Sequence, residues 1–248
     1  MMTRDRWLNV LFLSGFFLLW QIIAQVLESS SLPAPSAVLV EFWKQLESGE
    51  MLYHLGITLW RVLVAFAVSM LIGTFIGILM GRYRMVNSAL DGLLVLGLNI
   101  PALVTIILCY IWFGLVDAAA ITAVAINKIP TVIVTVREGA RAVDRKLLEV
   151  ADAFHIPRYR KLFRVYLPQL YPYLMAAARS GLALIWKIVL VVELLGRSNG
   201  VGFQLGTYFQ FFDITGILAY TFAFASVVLV VEAAAMRPID NRISRWRS

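Results

Sequence analysis

Residues 149–168 read EVADAFHIPRYRKLFRVYLP. This basic, mostly polar interval separates two long apolar blocks, and its placement decides how the rest of the chain is drawn. Asp144, just upstream, is a helix-capping residue type. A helix from there to about Phe154 puts Leu147, Leu148, Ala151 and Phe154 on one apolar face, with Arg145, Lys146, Glu149 and Asp152 mainly elsewhere. His155 and Ile156 make a turn. Pro157 suits the first turn of a second helix, where its missing N–H would have had no intrahelical partner. The spacing predicts a helix-turn-helix over 144–168 that rests on a membrane domain and offers its tip to a partner.

The flanking blocks say what that domain is. Of 248 residues, 60% are hydrophobic and 15% charged, with mean hydropathy +0.80, against about a quarter charged in soluble domains. Apolar runs fall at 7–27, 55–80, 89–114, 118–136, 171–195 and 214–236, each of a length that crosses roughly 30 Å of hydrocarbon as a helix. In lipid the backbone must bond to itself, so the reading is all-α: one polytopic domain over 1–248, six spans, and the helix-turn-helix between the fourth and fifth. The run at 7–27 exceeds the about 7–15 residues of a signal-peptide core, which predicts an uncleaved first span.

Charge orients the spans. Of the 22 Lys and Arg, only Lys44 and Arg197 fall in segments on the outer side, and Arg61, Lys128, Arg179 and Lys187 fall within spans. The others gather before the first span, at Arg82 and Arg84, across 137–164 and after 236, placing both termini and the hairpin in the cytoplasm. The net charge of +7 is thereby explained by topology, with membrane lipid as the neighbour and no nucleic acid implied. The lone Cys109 can form no intrachain disulfide and reads as packing.

Within the spans, Gly73, Gly77 and Gly81 recur every fourth residue, a stripe that lets another helix approach closely. Pro101 predicts a kink or break near 99–102, tolerated at membrane depth where protein or a water-filled cavity surrounds it. After Pro33 and Pro35, Ser36 is placed to cap a short amphipathic helix bearing Val38, Leu39, Phe42, Trp43 and Leu46 on the outer interface; an ordinary loop helix and a docking element both fit it. Residues 196–213 read as an outer loop.

Charges inside a bilayer cost roughly 2.5–3.5 kcal/mol each near its centre and must face protein or water. Arg179 is near enough to the cytosolic end to snorkel. Two readings stand for Lys128, beside Asn127, and for Lys187. They line a pathway for an anionic solute, or they are packing ions paired with Asp91 or Glu193. Glu193 is also spaced to pair with Arg197 at i,i+4.

The run Glu149, Val150, Ala151, three residues, His155, nine residues, Val165, Tyr166, Leu167, Pro168 resembles the EAA loop of permease subunits in bacterial ABC importers, glutamate-alanine-alanine, three residues, glycine, nine residues, isoleucine-x-leucine-proline. Glu149, Ala151, Leu167 and Pro168 match, Val150 and Val165 are conservative departures, and His155 replaces the glycine. LPAPSAV, HLGITLWRVLVAF, GTFIGILMG, IWFGL, SGLALIWKIVLVVELLG and NGVGFQL are similar to the subfamily that includes sulfonate, taurine, nitrate and bicarbonate importers.

The resemblance implies a bacterial inner-membrane permease, often a homodimer, that encloses the solute pathway. It would be driven by a cytosolic ATPase carrying ATP and Mg and supplied by a periplasmic or extracellular solute-binding protein. It assigns coupling to Glu149, Ala151, Asp152, His155, Leu167 and Pro168; Asn127, Lys128 and Lys187 remain pathway candidates on their polarity, charge and depth alone. No cofactor, catalytic or metal role falls to this chain: no lysine follows a glycine as an ATP-binding Walker A loop needs, and G-x-S-G is absent. A secondary transporter is the rival reading, but related halves and a coupling-ion site are not evident. An intramembrane serine hydrolase would need a histidine at membrane depth, and His54 and His155 fall outside the spans.

Overall fold

The computed structural model describes residues 2–27 and 31–236; the basic tail at 237–248 lies outside them. The described residues form helices α1 (Met2–Leu27), α2 (Pro35–Glu47), α3 (Glu50–Arg82), α4 (Arg84–Asn99), α5 (Ala102–Phe113), α6 (Asp117–Arg141), α7 (Arg145–Ala153), α8 (Arg158–Lys161), α9 (Leu167–Gly196), α10 (Val201–Gln210) and α11 (Ile214–Val231). One π-helical turn, Leu162–Tyr166, joins α8 to α9, and another, Glu232–Met236, follows α11. Among the described residues α3, α6, the continuous helix Arg158–Gly196 and α11 with its π turn are each long and apolar enough to cross a membrane.

The core is α6 held between α3 and α9. Gly73, Gly77 and Gly81 are what bring α3 in. A Cβ at each would stand only 2.6, 2.8 and 2.5 Å from the Cβ of Val132, Val136 and Ala140, so the backbones meet where a larger residue would wedge them apart. Above this contact Val62, Ala65, Ala120, Ala123, Val124, Ile185 and Val189 close a core that contains the buried Cys109, consistent with packing. Toward the hairpin, Val132, Val136, Val143, Tyr166, Leu170 and Ala177 form a second cluster.

The third apolar run is broken, as Pro101 requires. Ile100 adopts the extended conformation that a following proline imposes, Pro101 supplies no N–H, and α4 and α5 meet at 98°. Two local expectations are corrected. Ser36 does not cap α2: Pro35 takes the first turn, and the Ser36 N–H is satisfied by Gln21 Oε1 from α1 at 3.2 Å, so the cap comes from another helix. Residues 196–213 are not a plain loop, because they contain α10.

Candidate functional site

At one end of the bundle the chain builds the expected hairpin. Asp144 caps α7, accepting from the Lys146 N–H at 2.8 Å, and its own N–H donates to Gln169 Oε1 at 2.8 Å, tying the start of the hairpin to α9. The turn is a Schellman motif: Ile156 N–H donates to the Ala151 carbonyl and His155 N–H to the Asp152 carbonyl, both at 2.9 Å. His155 occupies the residue that must turn left-handed, with φ 51°, a conformation glycine adopts freely and other residues hold at about 1–2 kcal/mol. Lys161 closes the turn against Asp152 at 2.5 Å.

Pro168 stands at the start of α9, and its ring would crowd the carbonyl four residues back. The π turn widens the helix there, with Leu167 N–H donating to the Leu162 carbonyl.

The expected apolar face of α7 is only half used. Ala151 is buried and Leu148 half-buried, whereas Leu147 and Phe154 are exposed. Val150, Tyr159 and Phe163 are exposed as well, so both arms of the hairpin carry an apolar ridge without cover among the described residues, interspersed with exposed Glu149, Arg158, Arg160 and Arg164. Leu167 is half-buried and Pro168 exposed.

The pathway candidates are not brought together. Lys128 is 1% exposed, packed into the space left by Gly181 of α9, and its amine has no hydrogen-bond partner among the described residues. Asn127 is half-buried and returns its amide to the Ala123 carbonyl at 2.9 Å. Lys187 is exposed, six residues beyond Gly181 and so about 240° round α9. Neither lysine is the packing ion of Asp91 or Glu193: Arg137 takes Asp91 and Arg61 takes Glu193, both at 2.7 Å.

The Glu193 pairing overturns the i,i+4 reading. Arg197 turns instead to Asp117, at 3.2 Å, because Glu193 faces the bundle interior while Arg197 lies past the end of α9. Around Glu193 the sequence conceals a second constellation, at the end of the bundle away from the hairpin. His54, Thr58 and Arg61 share one face of α3 and grip three successive residues at the start of α10. Gly200 N–H donates to His54 Nδ1 at 2.9 Å, Val201 N–H to Thr58 Oγ1 at 2.8 Å, and Arg61 to the Asn199 carbonyl at 2.8 Å. Because Nδ1 accepts, the neutral ring carries its proton on Nε2; the Gln204 side-chain nitrogen lies 2.7 Å from it, and the amide turned over presents its oxygen as the acceptor.

The Glu193 carboxylate, fully buried, collects the Thr58 hydroxyl at 2.9 Å, Arg61 at 2.7 Å and the Gly202 N–H at 2.9 Å. Gly200 and Gly202 make the close approach possible, since a Cβ on either would collide with Glu193 or with the Leu190 carbonyl. Every charge in this clasp is matched. A helix-face spacing of His54, Thr58 and Arg61, with an opposite charge near the end of another span, is the sequence signal that could have found it.

The profile of the family described as "Binding-protein-dependent transport system inner membrane component" matches residues 69–245. The chain belongs to this family. Among curated relatives, a Bacillus subtilis permease named for aliphatic sulfonate transport, SsuC, is 29% identical over 99% of this chain and 90% of its own. The taurine transport system permease protein TauC of Escherichia coli is 24% identical over 99% and 91%. The bicarbonate transport system permease protein CmpB of Synechococcus elongatus is 24% identical over 88% and 82%. Two solved chains share the fold at TM-score 0.64. One, from the inward-facing MetNI methionine ABC transporter, is 17% identical over 75% of this chain and 92% of its own; the other, from an amino acid ABC transporter, is 19% identical over 81% and 98%. The permease match takes in the hairpin and Glu193, while His54, Thr58 and Arg61 lie ahead of it.

Proposed function

We propose that the permease spans the bacterial inner membrane six times, with α1 as the first crossing and α4 with α5 as the broken third, and with both termini and the hairpin in the cytoplasm. There a separate ATPase, holding ATP and Mg, seats on the ridge of Leu147, Val150, Phe154, Tyr159 and Phe163. Glu149, Ala151, Asp152, His155, Leu167 and Pro168 shape and present that ridge. The observation that carries this is the set of exposed apolar side chains itself, with exposed Arg158, Arg160 and Arg164 among them, which nothing else among the described residues covers. Its exposed cations favour the cytoplasmic side.

On this reading two copies of the chain enclose the pathway and a binding protein delivers solute to the far end. α9 presents Ser180, Ala183, Leu184, Lys187, Val191 and Leu194 along one uncovered stripe. A lysine at that depth is costly against lipid, so the stripe borders the pathway between copies. Asn127 and Lys128 lie behind it and join the pathway only when α9 shifts off α6. The solute is a small anion: relatives are named for sulfonates, taurine and bicarbonate, and Lys187 is suited to an oxyanion.

Glu149→Lys inverts charge on the hairpin without touching a span. It should leave membrane insertion intact and detach the ATPase, measured by co-purification. Normal assembly with normal solute-stimulated ATP hydrolysis sinks the assignment. Uptake into proteoliposomes that follows a proton or sodium gradient and ignores ATP would favour the secondary-transporter reading.

A further inference from the structure

HLGITLWR and NGVGFQL lie far apart in the sequence, meet in the clasp, and have no task in the transport reading. Glu193 stands near the end of a continuous helix of 39 residues, Arg158–Gly196, whose opposite end is the second arm of the hairpin. The Gly202 N–H that binds its carboxylate belongs to the first turn of α10, where unpaired amides favour an anion. The same carboxylate is bound from α3 by Thr58 and Arg61. One buried group therefore joins three elements: α3, the long helix, and the segment 197–213.

From this we infer that Glu193 is a positioning residue for transport. It makes the outer segment 197–213 travel with the helix that ends in the hairpin, so that ATPase motion at the hairpin reaches the outer mouth and engagement of the outer segment reaches the ATPase. The inference rests on the hairpin being the ATPase seat.

The chemistry separates this role from simple stabilisation. Arg61 has Asp117 as a second partner at 2.7 Å and Asn199 as a third, so it stays paired when the Glu193 charge is removed. Thr58, Arg61 and Gly202 all present donors to Glu193. A carboxamide of the same size replaces one acceptor oxygen by an NH2, so Glu193→Gln sets donor against donor and loosens the junction without opening a cavity.

The test uses the assembled complex in proteoliposomes, with Phe211→Cys as reporter in a Cys109→Ala chain. Phe211 is 78% exposed at the end of α10, and its labelling by a membrane-impermeant maleimide is compared with and without trapping of the ATPase by ATP and vanadate. With the clasp intact, trapping should change the labelling rate about tenfold, the scale of a typical coupling free energy. Glu193→Gln and Thr58→Val should each remove that response while the ATPase stays bound, and Thr58→Ser, which keeps the hydroxyl, should retain it. An unresponsive reporter in the intact chain, or an equal response in Glu193→Gln and Thr58→Val, overturns the inference. If Glu193→Gln fails to assemble, the Val and Ser pair at Thr58 decides. Failure of the unaltered permease to hold the ATPase would overturn the hairpin reading instead, a result visible before any labelling.

Discussion

The two ends of the Arg158–Gly196 helix are built on opposite plans. At the clasp Glu193 is fully buried, and each of its bonds is completed within the chain. At the hairpin, Leu147, Phe154, Tyr159 and Phe163 are exposed, and the ion pair closing the turn joins a half-buried Lys161 to an exposed Asp152, where such pairs add about 0–1 kcal/mol. One end is finished by the fold; the other leaves its apolar side chains uncovered among the described residues. Stability should therefore reside at the clasp and assembly at the hairpin.

Arg61→Met strikes the finished end hardest. It strands the Glu193 carboxylate without its cation, and loss of one partner of a buried pair costs about 3–5 kcal/mol. The expected result is a large fall in the thermal midpoint of the purified permease in detergent, with any surviving folded protein still binding the ATPase. A small fall would mean that Thr58 and Gly202 suffice and that the two ends differ less than their geometry implies.

Gly77→Leu tests the middle, where α3 meets α6. A side chain there runs into Val136, and overpacking of this kind costs about 1–3 kcal/mol. Thermal denaturation should place it between Arg61→Met and any hairpin change.

His155→Gly should be the mildest and of opposite sign. It relieves a left-handed φ worth about 1–2 kcal/mol, offset in part by the greater freedom of glycine in the unfolded chain. A midpoint equal to or slightly above the parent, with unchanged uptake, is expected; a loss of uptake would show that the imidazole itself contacts the partner.

The hairpin was legible because its signals are local. Asp144 before an apolar face, Pro157 after a turn and Pro168 before a span each act within one turn of helix, and the left-handed site falls at the residue where the resemblance places glycine. The glycine stripe was legible for the same reason, since four-residue spacing has a single geometric meaning on a helix. The clasp was not. Arg61 and Glu193 are 132 residues apart, and nothing in either neighbourhood names the other. The i,i+4 rule offered Arg197 instead, which describes an isolated helix and ignores that one side of α9 is buried. α10 was hidden by its own glycines: Gly200, Gly202 and Gly206 read as loop, yet they serve to bring the backbone against Glu193, Leu190 and Leu194.

The Arg158–Gly196 helix has one more property that comes from its length alone. At 1.5 Å per residue its 39 residues reach about 58 Å, against roughly 30 Å of hydrocarbon, so a helix of this length standing upright in a bilayer has nearly half of itself outside the hydrocarbon. Pivoting by about 5° around its midpoint swings either tip by about 2.5 Å. A rod of these proportions gains leverage without bending, and trimming its overhang would shrink the stroke in proportion while leaving every contact within the bilayer as it was.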